Sequence, residues 1–398
     1  MATRNPTQPT PELQEALIND PDFLRDLLTI LLQNHLNYEM ITHLQANSYE
    51  RTPSRTGYRN GYKPRQLKTR VGNLELLIPQ DREGTFQTEL FEKYQRHEKA
   101  LVLSLMQMYI EGVSTRKVSD ITEKLCGSKF SKSTISNLTK QLDTELSAWR
   151  NCPLEMPYCY VMVDALYEYV RINHQVLTQG VLIVKGIRAD GKREVLAVTV
   201  ADTESEASYQ ELFRSLKDRG LKGVRLVISD DHKGLRAAIQ RHFQGACWQR
   251  CQVHFCRTLL GRVARSRRKE LAGDLQRIFG SSSREWAIQA AQEVATAWRG
   301  SHPDVAEVLE EDLEGCLACY SFPREHQKKI RSTNALERLN QEIRRRTRVV
   351  RIFPNRESCL RLVTALCIER SEEWLSGKRY LDMSLLASVL DREEVRVL

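Results

Sequence analysis

The chain has 398 residues, 41% hydrophobic and 28% charged, which leaves room for two or three domains with a sizeable core and has the balance of a globular protein. No apolar run approaches membrane-spanning length, because Arg25 and Asp26 interrupt the stretch from Phe23 to Leu32. The N-terminus lacks the basic, apolar and small-residue order of a signal peptide, so the expected location is the cytoplasm.

The ten cysteines lie mostly apart and inside apolar segments, as free thiols of a reducing compartment do. The net charge of +9 is gathered into stripes. Residues 51–70 hold seven Lys or Arg and no acid, and residues 255–269 hold six and no acid. Residues 324–356 hold eleven against three acids. These stripes together exceed the whole net charge, so the remainder is acidic. Basic stripes on an otherwise acidic chain point to nucleic acid.

Residues 1–19 contain Pro and Thr and read as loose. Residues 20–45 read as a helix, with Phe23, Leu27, Ile30, Leu31, Leu36 and Met40 near one face; that face suits a core or a dimer surface. In RTPSRTGYRNGY (51–62), Arg55, Tyr58, Arg59 and Tyr62 interleave cations with aromatic rings, so the loop could grip and stack on a phosphate backbone; a plain surface loop fits as well. Leu74, Leu76 and Ile78 predict a strand ended by Pro79.

His97–Glu111 reads as a helix stopped by Gly112. Ser114 caps a second helix over 115–125, and Ser131 or Ser133 starts a third that carries Ile135, Leu138 and Leu142. With Lys132 and Ser133 at the start of the last helix, the pattern is that of a helix-turn-helix reader, or of a generic three-helix unit. Trp149–Pro157 reads as a linker.

The period then changes. Tyr158–Val163 predicts a strand ending in Asp164. Val176–Ile187 and Glu194–Val200 predict two more, joined by the hairpin signal Asp190-Gly191. A helix over 205–218 leads to a strand over 224–229 that ends in Asp230. Lys233–Arg241 is a helix, and Trp248–Phe255 could be a fifth strand. Three strands in meander followed by alternating helix and strand is the order of a ribonuclease H-like core, which brings the ends of strands one and four together. Residues 256–325 are helical, with Ala287, Ala290, Ala291, Val294 and Trp298 on one face, and read as an insertion in that core.

RSTNALERLNQEIRRRTRVVRIFPN (331–355) opens like a helix. Asn334 is a candidate N-cap, with Glu337 placed for a capping box. Arg344, Arg345, Arg346, Arg348 and Arg351 then crowd the helix end. On this stretch alone, a capped helix with a solvated basic end accounts for it. Asp164 and Asp230 at strand ends, with Glu337 on a later helix, would instead give three carboxylates in one cleft. Hard oxygen donors of that number suit Mg²⁺ or Mn²⁺, and two such ions support an in-line phosphoryl displacement without a protein nucleophile.

ISDDHKGL (228–235), CQVH (251–254) and STNALERLNQEIRRRTRVVRIFPN (332–355) resemble the signatures of bacterial insertion-sequence transposases of the Mutator type. TGYRNGY (56–62) and YIEGVSTRKVSD (109–120) extend the resemblance over about residues 50–380. It implies a DDE transposase, with Asp164, Asp230 and Glu337 as catalytic metal ligands separated by 66 and 107 residues. It implies two divalent ions, a helical insertion before Glu337, and action on terminal inverted repeats and target DNA by a copy-out route through a circular intermediate. A homodimer is expected, with no membrane and no small-molecule substrate.

The expected division is 1–95 for dimerisation and end binding, 96–150 for the helix-turn-helix-like domain, 155–260 and 326–398 for the two parts of the core, and 261–325 for the insertion. The expected DNA contacts are Arg55, Tyr58, Arg59, Tyr62, Lys132, Ser133, His254, Arg338, Asn340, Arg344, Arg345, Arg346 and Arg348. Asp231, His232 and Cys251 are supporting residues. Strand alternation puts Leu226, Ile228 and Asp230 on one face and so favours Asp230 over Asp231. His232 could position DNA or water, or cap a helix. On an extended strand Cys251 and His254 would face opposite ways; with Cys247, Cys256, Cys316 and Cys319 a zinc site can still be imagined. The sequence departs from the family at Gln327, where an aromatic residue is usual.

Two other classes remain. A DNA-binding derivative that has lost catalysis would bind ends without joining them. A tyrosine recombinase would use His254 and Arg257 as an H-x-x-R pair, but no Tyr lies between Arg257 and Tyr320 to serve it.

Overall fold

The computed structural model describes residues 22–90, 99–110, 113, 115–126 and 130–386, and the chain divides into two compact units, Met1–Gln141 and Leu142–Leu398. In the first unit, helix α1 (Phe23–Leu44) buries Leu36, Met40 and Leu44. Leu36 packs on Leu67, Leu74 and Leu76 of an antiparallel hairpin, β1 (Arg59–Thr69) and β2 (Gly72–Asp81). The loop expected over 51–62 therefore ends at Arg59, and the strand expected to stop at Pro79 runs on to Asp81. Pro79 stands opposite Tyr62, beside a register irregularity. A two-stranded ribbon has only edge strands, where a missing N–H need not break the ladder.

Helices α2 (Lys99–Ile110), α3 (Thr115–Cys126) and α4 (Lys132–Thr139) follow. Ser131 caps α4 by accepting from the Thr134 amide at 3.1 Å. Leu142 lies in a 3₁₀ turn beyond α4, not in it. The expected cap Ser114 lies outside the described residues.

The second unit opens with α5 (Asp143–Arg150), inside the stretch expected to close the preceding domain. Arg361 makes a two-pronged ion pair with Asp143, at 2.7 Å on each nitrogen. A five-stranded mixed sheet follows, in the order β5-β4-β3-β6-β7. Strands β3 (Tyr158–Ile172), β4 (Gln175–Arg188) and β5 (Arg193–Ala201) are antiparallel; β6 (Leu226–Ser229) and β7 (Cys247–Arg250) run parallel to β3.

Strand β3 does not end at Asp164. It continues eight residues further through the alternating sequence ALYEYVRI, because β4 pairs along its whole length. Its parallel pairing with β6 does stop, at Met162 opposite Ile228.

Val161 and Val163 face α6 (Glu206–Asp218) and α7 (Lys233–His242), whose Tyr209, Phe213, Leu235 and Ile239 fill the core on that side. Alternate residues of β3 face the other way, toward α13 (Asn334–Val350), and α14 (Arg356–Ser376) packs on β5 and β3.

The expected strand over 248–255 breaks at Arg250. Cys251 is the N-cap residue of helix α8 (Gln252–Gly261). Phe255 and Leu259, four residues apart, turn inward together, as a helix requires. They begin a separate apolar core shared by α9 (Arg268–Phe279), α10 (Arg284–Arg299) and α11 (Pro303–Glu311). Ala287, Ala291, Val294 and Trp298 are buried in it, with Ala290 packed at its margin. Helix α12 (Arg324–Ile330) then leads back toward α13. No described helix is long and apolar enough to cross a membrane.

Candidate active site

Asp164 sits on β3 two residues past the last β6 rung, so its side chain meets an opening rather than a neighbouring strand. Asp230 directly follows β6. Glu337 lies in the first turn of α13. The chain leaves the sheet after β7 and returns at α13, and the two points are stitched together. The Gln252 amide donates to the Arg331 carbonyl at 3.0 Å, and Thr333 Oγ1 donates to Cys251 Sγ at 3.3 Å. Helix α13 thus starts beside the start of α8, although Cys251 and Thr333 are 82 positions apart in the sequence.

Thr333, not Asn334, is the N-cap residue, and no side chain caps this helix. The capping box that residues 331–355 suggest on their own, between Asn334 and Glu337, is absent, and the Thr333 hydroxyl serves Cys251. Glu337 Oε1 turns to His254 Nε2 at 3.1 Å and Arg257 Nη2 at 3.6 Å. It is buried and lacks a hydrogen bond of proper geometry, so the contact with His254 is an ion pair.

Asp164 Oδ1 accepts from the Ala165 amide at 3.0 Å, and Oδ2 accepts from Asn340 Nδ2 at 2.8 Å. Burial pushes Asp164 above the usual carboxylate range against the pull of His254, and the charges of Asp230 and Glu337 push it further. Burial also raises Asp230, helped by Glu204 and opposed by His254 and His232. The contact with Cys251 raises His254 above an ordinary imidazole against its burial, and Asp164 and Glu337 add to the rise. All three acids therefore share one electrostatic neighbourhood with His254.

Asp231 turns away, to Arg250 at 3.1 Å and Arg236 at 3.7 Å. His232 caps α7, accepting from the Leu235 amide at 3.4 Å. Cys251 and His254 do not point apart as a strand would make them; a helix start puts them on one side.

Among the described residues, no three His, Cys, Asp or Glu side chains are disposed to hold a metal ion as they stand. Of the cysteines considered for zinc, Cys316 and Cys319 are buried, and Gln249 and Gln252 bond to the backbone beside them. The carboxylates fit a hard divalent cation by donor chemistry, with the unsatisfied Glu337 Oε1 facing His254.

The expected DNA contacts divide. Arg344 and Arg348 are exposed. Arg345 is exposed but pairs with Glu342 at 2.8 Å. Arg346 and Asn340 are buried, on Glu342 and Asp164 respectively, and His254 faces Glu337. These three side chains turn inward because they occupy the face of α13, or the start of α8, that lies on the sheet.

In the first unit, Arg55 stacks on the exposed Tyr58 ring at 4.7 Å and donates to the Gly57 carbonyl at 2.7 Å. Tyr62 bonds Asn37 at 3.3 Å, and Arg59 Nε is buried without a partner. Ser133 is exposed beside Ser131; the Lys132 side chain lies outside the described residues.

Sequence reasoning missed Glu204, which neighbours Asp230, and Thr333. It also left Arg257 out of the site: His254 and Arg257, three residues apart, fall on one helical face, but the segment reads as a strand.

A cavity of about 1250 Å³ opens on the opposite side of α13, where Asn334, Arg338 and Glu342 line it. The three acids do not line it.

The profile described as "Transposase, Mutator family" matches residues 3–377. The chain is 48% identical to the transposase for insertion sequence element ISRM5 of Rhizobium meliloti, over 93% of this chain and 93% of that protein. It is 41% identical to the transposase for IS406 of Burkholderia multivorans, over 96% and 100%. It is 40% identical to the transposase for IS256 in transposon Tn4001 of Staphylococcus aureus, over 91% and 93%. Among solved structures, the Drosophila P element transposase strand transfer complex aligns with a TM-score of 0.30 and 11% identity, covering 79% of this chain and 86% of that one, too loosely to bear on the fold. With a family match along nearly its whole length and relatives of this identity and coverage, the chain belongs to the Mutator family of transposases.

Proposed function

We propose that the protein is a DDE transposase that binds the terminal inverted repeats of its insertion sequence, cleaves there and joins a 3′-OH to target DNA, by a copy-out route through a circular intermediate. The observation that carries this reading is the meeting of three acids at the sheet end: Asn340 of α13, three residues after Glu337, bonds Asp164 on β3, and Asp230 directly follows β6, which pairs with β3. Three antiparallel strands followed by two parallel ones support a ribonuclease H-like core, with the helices of 252–330 as its insertion.

Asp164, Asp230 and Glu337 would hold Mg²⁺ or Mn²⁺, two ions per site, whose charge would supply Lewis-acid stabilisation of the reacting phosphoryl oxygens. Asn340 orients Asp164, and His254 with Arg257 holds Glu337 until substrate and metal arrive. Arg344 and Arg348 face outward and would hold the DNA backbone. A homodimer is the proposed working form, because the enzyme must act on two ends.

Asp164→Asn or Glu337→Gln should abolish strand transfer on repeat-end DNA, by more than the roughly 10–100-fold that loss of an outer-shell partner costs, while leaving end binding in place. Strand transfer at the parent rate in either variant would overturn the assignment. End binding with no joining product in the parent protein would mark a DNA-binding derivative without catalysis.

A further inference from the structure

The cavity beside α13 is bounded by a cluster of cations that the three acids do not explain. The Arg193 guanidinium lies between two rings, 4.6 Å from Trp374 and 4.5 Å from Tyr380. Lys329 Nζ stands 4.6 Å from the Tyr380 ring. Behind them Lys185, on β4, is fully buried and makes no hydrogen bond, with Nζ 5.5 Å and 5.3 Å from the same rings. Burial above all, with the nearby charges of Arg193 and Lys329 adding to it, holds its amine down to about 7.

Arg338 reaches the same place from α13. The acids nearby are already engaged: Glu342 with Arg345 and Arg346, and Glu373 with Arg370. Stacking on aromatic faces offsets part of the cost of gathering these cations. It does not neutralise them, and an unpaired buried cation is expensive. Because Arg193 fills the gap between the rings, a nucleobase has no slot there. What the cluster offers is fixed N–H donors and positive charge, which is the recognition chemistry of a phosphate group.

We propose that Arg193, Lys329 and Arg338, backed by Lys185, form a second anion site in this cavity, separate from the three acids, and that it holds a backbone phosphate of a DNA strand. The identity of the anion rests on the reading of the chain as a DNA transposase; the site itself rests on the cation cluster. A phosphate diester of a strand and a free phosphate share the chemistry, and the test separates them.

Binding of inorganic pyrophosphate and of a fluorescent ten-nucleotide single strand should be measured on the full chain, on Lys329→Gln, on Lys185→Met and on Asp164→Asn. Lys329→Gln should weaken both ligands about tenfold and reduce the slope of log affinity against log salt for the strand by about one. Lys185→Met should weaken both ligands while raising the melting temperature of the free protein; a rise in melting temperature with unchanged binding would reduce Lys185 to a strained core residue and overturn its part. Unchanged affinity and salt slope in Lys329→Gln would overturn the site. Pyrophosphate binding that depends on Lys329, with strand binding that does not, would overturn the strand assignment. Asp164→Asn should bind both ligands as the parent does. Loss of its joining activity with binding kept supports both readings, and joining kept with binding kept overturns the transposase reading alone.

Discussion

Asn340 bears most directly on how the acids are held. It lies one turn after Glu337 on α13, and its amide donates 2.8 Å to Asp164 Oδ2, so one helix carries one acid and orients another. A hydrogen bond to a charged group is worth about 1.5–3 kcal/mol. Asn340→Ala should cost stability on that order and lower strand transfer about 10–100-fold, as loss of an outer-shell partner does. Asn340→Asp should be worse than Ala in a strand-transfer assay, because it sets a second carboxylate against Asp164; equal activity in the two variants would show that the amide does not orient the acid. The i, i+3 spacing of Glu337 and Asn340 is visible in the sequence. What the sequence does not reveal is that this face lies on β3, so Asn340 reads as one more polar residue among the outward arginines.

At the scale of elements, most helices and strands were legible from period and punctuation. Those that were not share a cause, which is a pairing or packing partner outside the segment whose period is being read. Strand β1 reads as a loop because its Gly, Pro and cations hide the alternation, and β2 with α1 supplies its apolar contact. Strand β3 overruns Asp164 because β4 pairs with all of it. Cys251–His254 reads as strand because Val253 and Phe255 alternate around His254, yet the core of the helical block sets a helical period.

The start of α13 carries Asn at the expected cap position but is tied down by the Cys251 thiol instead. Helix α14 has the side-chain cap that α13 lacks, with Asn355 Oδ1 accepting from the Ser358 amide at 2.9 Å. Asn355→Ala should therefore cost about 1 kcal/mol in denaturant unfolding, and Asn334→Ala should stay within about 0.5 kcal/mol. A larger loss at Asn334 would restore the capping reading.

At the scale of the molecule, the two units differ in what they leave exposed. Helix α1 turns Leu36 and Met40 inward but exposes Leu24, Leu27, Ile30 and Leu31, with Ile30 58% and Leu31 56% accessible among the described residues. A run of large apolar side chains on one helix suits a second copy of the chain. Ile30→Asp with Leu31→Asp should convert a dimer to monomer in sedimentation velocity, and a dimer that survives both changes would move the interface elsewhere. Asp164 and Glu337 stand 173 positions apart in the sequence; the stitching that brings their elements together, Cys251 to Thr333, was not legible, since a thiol-to-hydroxyl contact leaves no periodic trace.

The segment after α13 is short but fixes how the site can move. Arg351 adopts φ 64°, and the Ile352 amide closes a tight turn on the Val350 carbonyl at 2.8 Å. Phe353 then bonds β3 twice, donating to the Tyr169 carbonyl and accepting from the Arg171 amide, each at 2.8 Å. Between these ends, Thr347 Oγ1 donates to Glu168 Oε1 at 2.7 Å, and Asn340 holds Asp164. The helix is riveted to the strand along its length, whereas β6 shares only three rungs with that strand. Amide exchange should accordingly be faster at 226–229 than at 164–170, and equal protection would refute the asymmetry. Asp164 and Glu337 then form the fixed jaw of a vice, and any adjustment of its gap is a displacement of Asp230.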